Sequence, residues 1–377
     1  MIIKYHSASN FRNLEKIEFE PHPEMNIIYG ENGQGKTNII ESIWLLTGFY
    51  SFRTRKNSQL IKQGENQAEI NNRFYSHMRE QNASMLIGKR KEIILNGVNE
   101  DSPRVMMGKY YAVVFSPSTL GIVQDGPAER RKLIDITLSL IKPNYAVLMS
   151  KYLRVLEQRN ALLKKMGERC FENDYISPWN IELVNLGAKI IKYRLDYIET
   201  FSEISKEIYK GISSGKEDFS FYYDFSAENI GEEEIKEKLI NDINKCREAD
   251  IKRLYTNAGP HTHDLILNLN GRDARIYGSQ GQQRSCALAM KLGEASIIEK
   301  VTGESPVVLL DDVMSELDEG RQTFILNYLN NWQVFITCCD PSQLLRSKKG
   351  KAFEVADGKI KEMETGYEKS IEKEKEI

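Results

Sequence analysis

The segment with the clearest chemical pattern is GENGQGKT, which runs from Gly30 to Thr37 and follows the apolar run MNIIY. Its glycines, lysine and hydroxyl residue have the spacing of a phosphate-binding loop between a strand and a helix. In such a loop, backbone N–H groups surround the phosphates, the lysine adds a positive charge and the hydroxyl binds Mg²⁺. An incidental glycine turn is the alternative, and the strand-to-helix setting argues against it. The predicted ATP-binding residues are Gly30, Glu31, Asn32, Gly33, Gln34, Gly35, Lys36, Thr37 and Asn38, and Lys36 is also predicted to be catalytic.

A second segment, VVLLDD from Val307 to Asp312, is an apolar run that ends in two carboxylates. A Mg²⁺ ligand belongs at the carboxyl end of a parallel strand beside the phosphate loop. We therefore predict that Asp311 binds Mg²⁺ together with Thr37, and that Asp312 orients or deprotonates the attacking water. A solvated turn is the alternative, but two acids at the end of a buried strand are otherwise costly.

A third segment, GSQGQQR from Gly278 to Arg284, opens a predicted helix whose N-terminus can bind an anion. The order of phosphate loop, insertion, SQGQ, paired carboxylates and SELD resembles that of ATP-binding-cassette ATPases. The resemblance implies that the signature loop of one subunit caps the γ-phosphate bound by the other, so we expect a homodimer. By the same resemblance, the signature residues are Ser279, Gln280, Gly281 and Gln282, the D-loop residues are Ser315 and Asp318, and the switch residue facing the γ-phosphate is Thr337.

The elements that must position these residues alternate between strands and helices. Predicted strands lie at 25–29, within 66–98, at 110–115, in LILNLN and at 307–310, and predicted helices lie at 38–47, 127–140, 144–166, 179–210 and 281–299. The fold class is α/β: an ABC-type P-loop ATPase head, with a mixed sheet and an antiparallel β layer, split by a compact helical lobe. The predicted domains are residues 1–125 and 257–365 for the head, 126–256 for the lobe and 366–377 for a charged tail.

The composition is that of a globular protein with little net charge, since 52 Lys and Arg face 54 Asp and Glu. Any nucleic-acid-binding surface must therefore be local. The five cysteines have no CxxC spacing, which argues against a zinc site or a disulfide framework. The start lacks a secretory signal, and no run of about eighteen apolar residues occurs. We therefore expect a soluble, cytoplasmic protein without a membrane partner.

Over nearly the whole chain, the residues resemble the RecF family of bacterial recombination mediators. The segments that carry the resemblance are NFRN (10–13), GENGQGKTN, SFRTRK (51–56), VVFSPSTLGIV and GPAERRKLID (113–135), SQGQQR and LLDDVMSELD. The resemblance implies ATP and Mg²⁺ as cofactors, an ATP-dependent homodimer and weak, DNA-stimulated ATP hydrolysis. It also implies binding to duplex DNA and to single-strand/duplex junctions at gaps, and loading of recombinase with RecO and RecR in recombinational repair and the SOS response.

Two segments depart from the family pattern. GPHTHD (259–264) stands where the family commonly has GPHRDD, so this chain lacks an arginine and one acid of that pattern. Cys338 and Cys339 follow Thr337 where the family has further threonines. We expect these two cysteines to be buried core residues rather than redox groups.

Sequence-independent DNA binding requires local basic clusters. The candidates are Arg53, Arg55 and Lys56, the turn 89–91, and Arg130 and Arg131 with Lys132. Each has an alternative interpretation. Arg53 and Arg55 can serve the nucleotide, the turn can be merely solvated, and Arg130 and Arg131 can pair with Glu129 and Asp135.

Three other classes of ATPase remain as alternatives. A transporter subunit usually has LSGGQ and needs a membrane partner, a chromosome-organising protein needs long heptad arms, and an ATPase-fused nuclease needs a further acid-rich domain. The sequence favours none of them over the repair protein.

Overall fold

The computed structural model describes residues 1–168, 176–225, 231–341 and 350–363. By its internal contacts the chain divides into two compact units. We call residues 1–120 with 294–377 the head unit and residues 121–293 the arm unit. Residues 257–293, which the sequence analysis assigned to the head, cluster with the arm unit. The predicted tail, 366–377, lies outside the described residues.

The strands in the described ranges are β1 (Ile2–Phe11), β2 (Leu14–Phe19), β3 (Met25–Tyr29), β4 (Ala68–Ser76), β5 (Arg79–Ile87), β6 (Lys91–Leu95), β7 (Val98–Glu100), β8 (Ala112–Phe115), β9 (Phe219–Tyr223), β10 (Leu265–Leu269), β11 (Arg272–Asp273), β12 (Val307–Asp311), β13 (Val334–Cys338), β14 (Gly350–Ala356) and β15 (Lys359–Met363). The α-helices there are α1 (Lys36–Leu45), α2 (Pro117–Leu120), α3 (Pro127–Ile141), α4 (Pro143–Glu168), α5 (Ser177–Ile212), α6 (Glu232–Arg253), α7 (Ala274–Tyr277), α8 (Gln280–Thr302) and α9 (Glu319–Tyr328). The boundary between the two units falls within α8.

The central sheet of the head unit has the strand order β15-β14-β3-β13-β12-β8. The strands β14, β3, β13, β12 and β8 are parallel, and β15 pairs antiparallel at one edge. β8 and β12 are buried along their whole length, as expected for parallel strands covered on both faces. The carboxyl ends of β3, β12 and β13 meet at one edge of this sheet, which is where the predicted chemistry lies.

The second sheet of the head unit is antiparallel, with the order β2-β1-β4-β5-β6-β7. Residues of β4 alternate between buried and more exposed positions, so one face covers a core. Asn96 and Gly97 form the turn between β6 and β7, with φ of 53° and 82°. Both values are left-handed, as a two-residue hairpin turn requires. The hairpin predicted from IILNGV is confirmed.

The arm unit consists of the helices α3 to α7, the first part of α8 and a small antiparallel sheet, β11-β10-β9. The long helix α5 packs against α4, α6 and β9. The sequence predicted two long helices here and missed α6, because its apolar face is narrow: Ile235, Leu239 and Ile243 are its only buried apolar residues. The chain reversal predicted at 172–178 lies partly outside the described residues. None of the helices in the described ranges is long and apolar enough to cross a membrane.

Candidate functional site

The phosphate-binding loop predicted from the sequence connects β3 to α1 in the head unit. Gly30 and Gly35 have φ of 147° and 116°, in the region that favours glycine. A Cβ on Gly30 would lie 2.3 Å from the carbonyl oxygen of Val355, and one on Gly35 would lie 2.8 Å from Asn13 Oδ1. Gly35 is the N-cap of α1 and has no side chain to bond the first-turn N–H groups. The Asn38 N–H donates to the Gly35 carbonyl oxygen at 2.9 Å, and the N–H groups before it, at the start of α1, face the loop where an anion can bind.

Lys36, the first residue of α1, turns its ammonium group back onto this loop. Its Nζ donates to the carbonyl oxygens of Gly30 at 2.6 Å and Glu31 at 2.9 Å. The residue is only 8% exposed. A compact ammonium held in this way is suited to act as a point charge beside phosphate oxygens.

Thr37 and Asp311, the two predicted Mg²⁺ ligands, are in direct contact. Thr37 Oγ1 donates to Asp311 Oδ1 at 2.9 Å. Burial raises the pKa of the Asp311 carboxyl, and hydrogen bonds from Thr37 and Thr337 oppose that rise. A divalent cation beside this buried carboxylate would stabilise its charged form.

This donor set fits Mg²⁺ in a nucleotide site, where one or two protein oxygens act together with phosphate oxygens. Within the described ranges, no group of three or more His, Cys, Asp or Glu side chains could hold a metal by itself. A metal at this edge of the sheet would therefore depend on the phosphates of a nucleotide.

Asp312 differs from its neighbour Asp311 in that its side chain is exposed. Its φ of 55° lies in the left-handed region, which turns the chain sharply at the end of β12. Its backbone N–H donates to Thr337 Oγ1 at 2.8 Å, and Ser315 Oγ donates to its carbonyl oxygen at 3.0 Å. The predicted general base is therefore fixed by its backbone and presents its carboxylate to solvent.

The second predicted D-loop residue, Asp318, is the N-cap of α9. Its Oδ1 accepts from the Arg321 N–H at 3.0 Å, and this hydrogen bond is the largest influence lowering the pKa of Asp318. The capping contact is intramolecular, so a role of Asp318 toward a second subunit stays a prediction.

Thr337 does not have the orientation expected of a switch residue. It is 1% exposed, and its hydroxyl donates to Asp311 Oδ1 at 3.0 Å while accepting from the Asp312 N–H. This follows from strand register, because Thr337 on β13 lies directly beside Asp311 on β12. Thr337 therefore holds the Asp311 carboxylate and the Asp312 backbone, and its prediction as the residue facing the γ-phosphate needs this correction.

Cys339 lies next to the phosphate loop. Its Sγ is 3.9 Å from Lys36 Nζ and donates to Asn32 Oδ1 at 3.4 Å. The expectation that Cys338 and Cys339 are both buried core residues is wrong, because Cys339 is exposed and Cys338 is partly exposed. Burial still raises the pKa of Cys338 to about 12.

Sequence analysis missed a buried carboxylate, Glu41, on the helix that follows the loop. Glu41 is 0% exposed and accepts hydrogen bonds from Arg12 Nε at 2.6 Å and Nη2 at 2.7 Å. Ser51 Oγ also donates to it, and Arg53 Nη1 lies 3.5 Å away. An acid within the apolar helix sequence NIIESIWLL requires such partners, and this signal could have predicted that Glu41 is paired, though not with which residue.

Asn13 and Asn38 connect the residues around Glu41 to the phosphate loop. Asn13 Nδ2 donates to the Gly33 carbonyl oxygen at 2.9 Å, and Asn38 Nδ2 donates to Asn13 Oδ1 at 2.6 Å. Arg53 Nη1 donates to Asn38 Oδ1 at 2.8 Å. The NFRN and SFRTRK segments thus hold the loop and the first turns of α1. Arg53 has the position expected of a residue that serves the nucleotide site.

Replacing Glu41 with Gln should destabilise the head unit by about 2 kcal/mol, because Arg12 would lose a buried, bidentate partner. Urea unfolding followed by tryptophan fluorescence, to which Trp44 on the same helix contributes, measures the loss. Glu15→Gln is the matched control, since Glu15 is 65% exposed and 3.5 Å from Lys62. Similar unfolding midpoints for the two variants would contradict the assignment.

The predicted signature loop begins α8 in the arm unit. The Ser279 N–H donates to Gln282 Oε1 at 2.8 Å, and the Gln282 N–H donates to Ser279 Oγ at 3.3 Å. This reciprocal pair is a capping box, for which S-x-x-Q is a characteristic sequence. Ser279 and Gln280 are exposed, so the start of α8 is open to a ligand or partner.

The basic residues predicted to contact DNA differ in the hydrogen bonds that their side chains form within the protein. Arg130 is 3% exposed, forms two 2.7 Å hydrogen bonds to Asp264 and donates to the Asp125 carbonyl oxygen. The expected pairing with Glu129 or Asp135 is wrong, because Asp135 instead pairs with Arg194. With its donors occupied inside the arm unit, Arg130 no longer qualifies as a DNA contact.

The other basic candidates keep more exposure. Arg55 and Lys56 are exposed, whereas Arg131 is partly buried and donates to the His263 carbonyl oxygen at 2.7 Å. In the turn 89–91, Lys91 lies 5.6 Å from the ring centre of Tyr50, and burial lowers its pKa to about 8. Arg55 and Lys56 are therefore the strongest remaining candidates.

The segment GPHTHD, which departs from the family pattern GPHRDD, retains one of its two acids. This acid is Asp264, and it forms an ion pair with Arg130. Its two histidines have tyrosine partners: His261 Nδ1 is 2.6 Å from Tyr152 OH, and His263 Nδ1 is 2.9 Å from Tyr223 OH. Burial lowers the pKa of His263 to about 3, so this histidine is neutral at pH 7. The segment is packed inside the arm unit.

Comparison with known proteins agrees with these features. Residues 2–108 match the family model of the RecF/RecN/SMC N terminal domain. The DNA replication and repair protein RecF of Agathobacter rectalis is 37% identical over 96% of this chain and 99% of its own length. That of Clostridium tetani is 36% identical over 95% and 99%.

Solved structures support the same relationship. The recombination mediator protein RecF with ATP, in the RecFOR pathway, has 37% identity and a TM-score of 0.88 over 96% of this chain and 98% of that one. The Smc head domain from Pyrococcus furiosus has a TM-score of 0.57 at 17% identity over 100% of each chain, which shows the fold alone. The predicted ABC-type ATPase fold is confirmed. On these grounds the chain belongs to the RecF family of DNA replication and repair proteins.

Proposed function

We propose that this chain is an ATP-dependent DNA-binding repair protein that dimerises on ATP, binds DNA at gaps and releases it on hydrolysis. The observation that carries the proposal is the contact between Thr37 and Asp311, with Lys36 and Asp312 at the same edge of the central sheet. Phosphoryl transfer depends mainly on positioning and charge stabilisation, and these residue types supply both.

Each residue has a separate role in this proposal. The N–H groups of the loop and Lys36 bind the phosphates, and Thr37 and Asp311 would hold Mg²⁺, which neutralises phosphate charge when bound. Asp312 accepts the proton of the attacking water. Thr337 holds the Asp311 carboxylate and the backbone N–H of Asp312 in place through one hydrogen bond to each.

The proposal requires a homodimer, because each nucleotide site needs the phosphate loop of one chain and the signature loop of another. Cassette ATPases complete each nucleotide site with the signature loop of the second subunit, and the exposed Ser279 and Gln280 suit that role. The related RecF structure with ATP is described as a recombination mediator in the RecFOR pathway. We propose RecO and RecR as partners of this chain, DNA junctions at gaps as its target, the SOS response as its setting and the cytoplasm as its location.

ATP should strengthen DNA binding, because dimerisation doubles the basic surface presented to the phosphates. Fluorescence anisotropy with gapped DNA, with and without ATP, measures the coupling. Equal affinities in the two conditions would contradict it. The same DNA added to an ATPase assay tests stimulated hydrolysis.

If basic residues neutralise DNA phosphates, the affinity for DNA should fall as the salt concentration rises. Removing a side chain that neutralises one phosphate should lower the slope of log affinity against log salt by about 0.9. Arg55→Ser with Lys56→Ser should therefore flatten the slope, whereas Lys359→Ser, an exposed lysine of β15, should not. An unchanged slope in the double variant would remove these two residues from the interface.

A further inference from the structure

The signature loop is connected to the long helix α5 by one carboxylate, Glu217. Both ends of the Gln282 amide are bonded: Oε1 accepts from the Ser279 N–H, and Nε2 donates to Glu217 Oε1 at 2.5 Å. The other oxygen of Glu217 accepts from Tyr209 OH at 2.6 Å. All four residues lie in the arm unit.

The partners of Glu217 are fixed in different ways. Tyr209 is 0% exposed near the end of α5, and its ring lies 5.1 Å from that of Phe219 on β9. Burial and the hydrogen bond to Glu217 raise the pKa of Tyr209, so its hydroxyl stays protonated and acts as a donor. One oxygen of Glu217 therefore accepts from the buried Tyr209 hydroxyl, and the other accepts from the Gln282 amide of the signature loop.

The orientation of Gln282 determines what Ser279 can do. Because Ser279 Oγ accepts from the Gln282 N–H, its own O–H points away from the helix start. An exposed hydroxyl with that orientation can donate to an anion. If the Gln282 amide flipped, its NH₂ group would face the Ser279 N–H. The hydrogen bond from Ser279 to Gln282 Oε1 would then be lost, and the capping box with it.

We propose that Tyr209 and Glu217 are positioning residues for the signature loop, acting through Gln282 on the nucleotide bound by the second subunit. This inference rests on the proposed function. Since Tyr209 belongs to α5, it also gives that helix a direct connection to the loop. A displacement of the end of α5 would change the loop and hence ATP turnover.

Glu217→Ala should lower steady-state ATP turnover about tenfold, the usual effect of losing a hydrogen bond to a charged group. Tyr209→Phe, which removes only the hydroxyl, should lower it about threefold. ATP binding to the monomer should stay unchanged in both, because the phosphate loop is untouched. The controls are Asp218→Ala and Tyr222→Phe, two exposed neighbours of the same types.

A mixing experiment separates this role from a general loss of structure. Glu217→Ala chains are mixed with Asp312→Asn chains before ATP is added. In the mixed dimer, the Glu217→Ala chain supplies an intact phosphate site, and the other chain supplies an intact signature loop. Random pairing should restore turnover to about a quarter of the wild-type value per chain, since half of the dimers are mixed and each has one complete site.

No restoration on mixing, or wild-type turnover in Glu217→Ala alone, would overturn the inference while leaving the proposed function standing. A wild-type chain that stays monomeric with ATP in analytical ultracentrifugation would overturn both.

Discussion

Replacing Asp312 with Asn should leave ATP binding intact and slow its hydrolysis at least about 100-fold, the usual contribution of a positioned general base. Asn keeps the size and the left-handed backbone preference of Asp, so the φ of 55° and the hydrogen bonds to Thr337 and Ser315 are retained. The side chain loses its negative charge and, with it, the capacity to accept a proton. Single-turnover hydrolysis measures the rate, and equilibrium binding of a fluorescent ATP analogue checks the site.

The same variant should prolong the life of the ATP-bound dimer on DNA, because release is coupled to hydrolysis in our proposal. Glu319→Gln is a suitable control, since Glu319 is an exposed acid in the first turn of α9. Hydrolysis at the wild-type rate in Asp312→Asn would show that another group activates the water.

The parts of the site that sequence predicted correctly are those defined by local spacing. The loop from Gly30 to Thr37 and the strand before Asp311 can be predicted because their neighbours in sequence are also their neighbours in space. The bounds of β3 agree with the predicted strand, and α1 begins two residues earlier than predicted. Thr37 reaches Asp311 because β3 and β12 both run parallel to β13 between them, so their carboxyl ends lie at the same edge of the sheet.

What sequence could not predict depends on contacts between distant segments. Arg12 and Glu41 are 29 positions apart, and nothing in either segment specifies the other. Thr337 seemed suited to the γ-phosphate by its place at the end of a strand, but its register beside Asp311 turns the hydroxyl to the Asp311 carboxylate. Arg130 looked like a surface cation within GPAERRK, and only the fold shows that it binds Asp264, which lies 134 positions away.

Replacing Lys36 with Arg should weaken ATP binding about 100-fold, because losing charged hydrogen bonds worth about 3 kcal/mol corresponds to that factor. The ammonium group fits between the Gly30 and Glu31 carbonyl oxygens at 2.6 and 2.9 Å. A guanidinium is larger, planar and forked, and it cannot take this position without moving the loop. Isothermal titration with ATP measures the change, and Lys16→Arg on the exposed side of β2 is the control.

The Lys36→Arg variant also tests whether the loop acts alone or as half of a site. If the signature loop of a second subunit closes the site, weaker binding in one loop must also reduce dimerisation, because each nucleotide contributes to holding two chains together. DNA affinity should then become independent of ATP at concentrations that saturate the wild type. A variant that binds ATP weakly but dimerises normally would show that the two chains associate without the nucleotide between them.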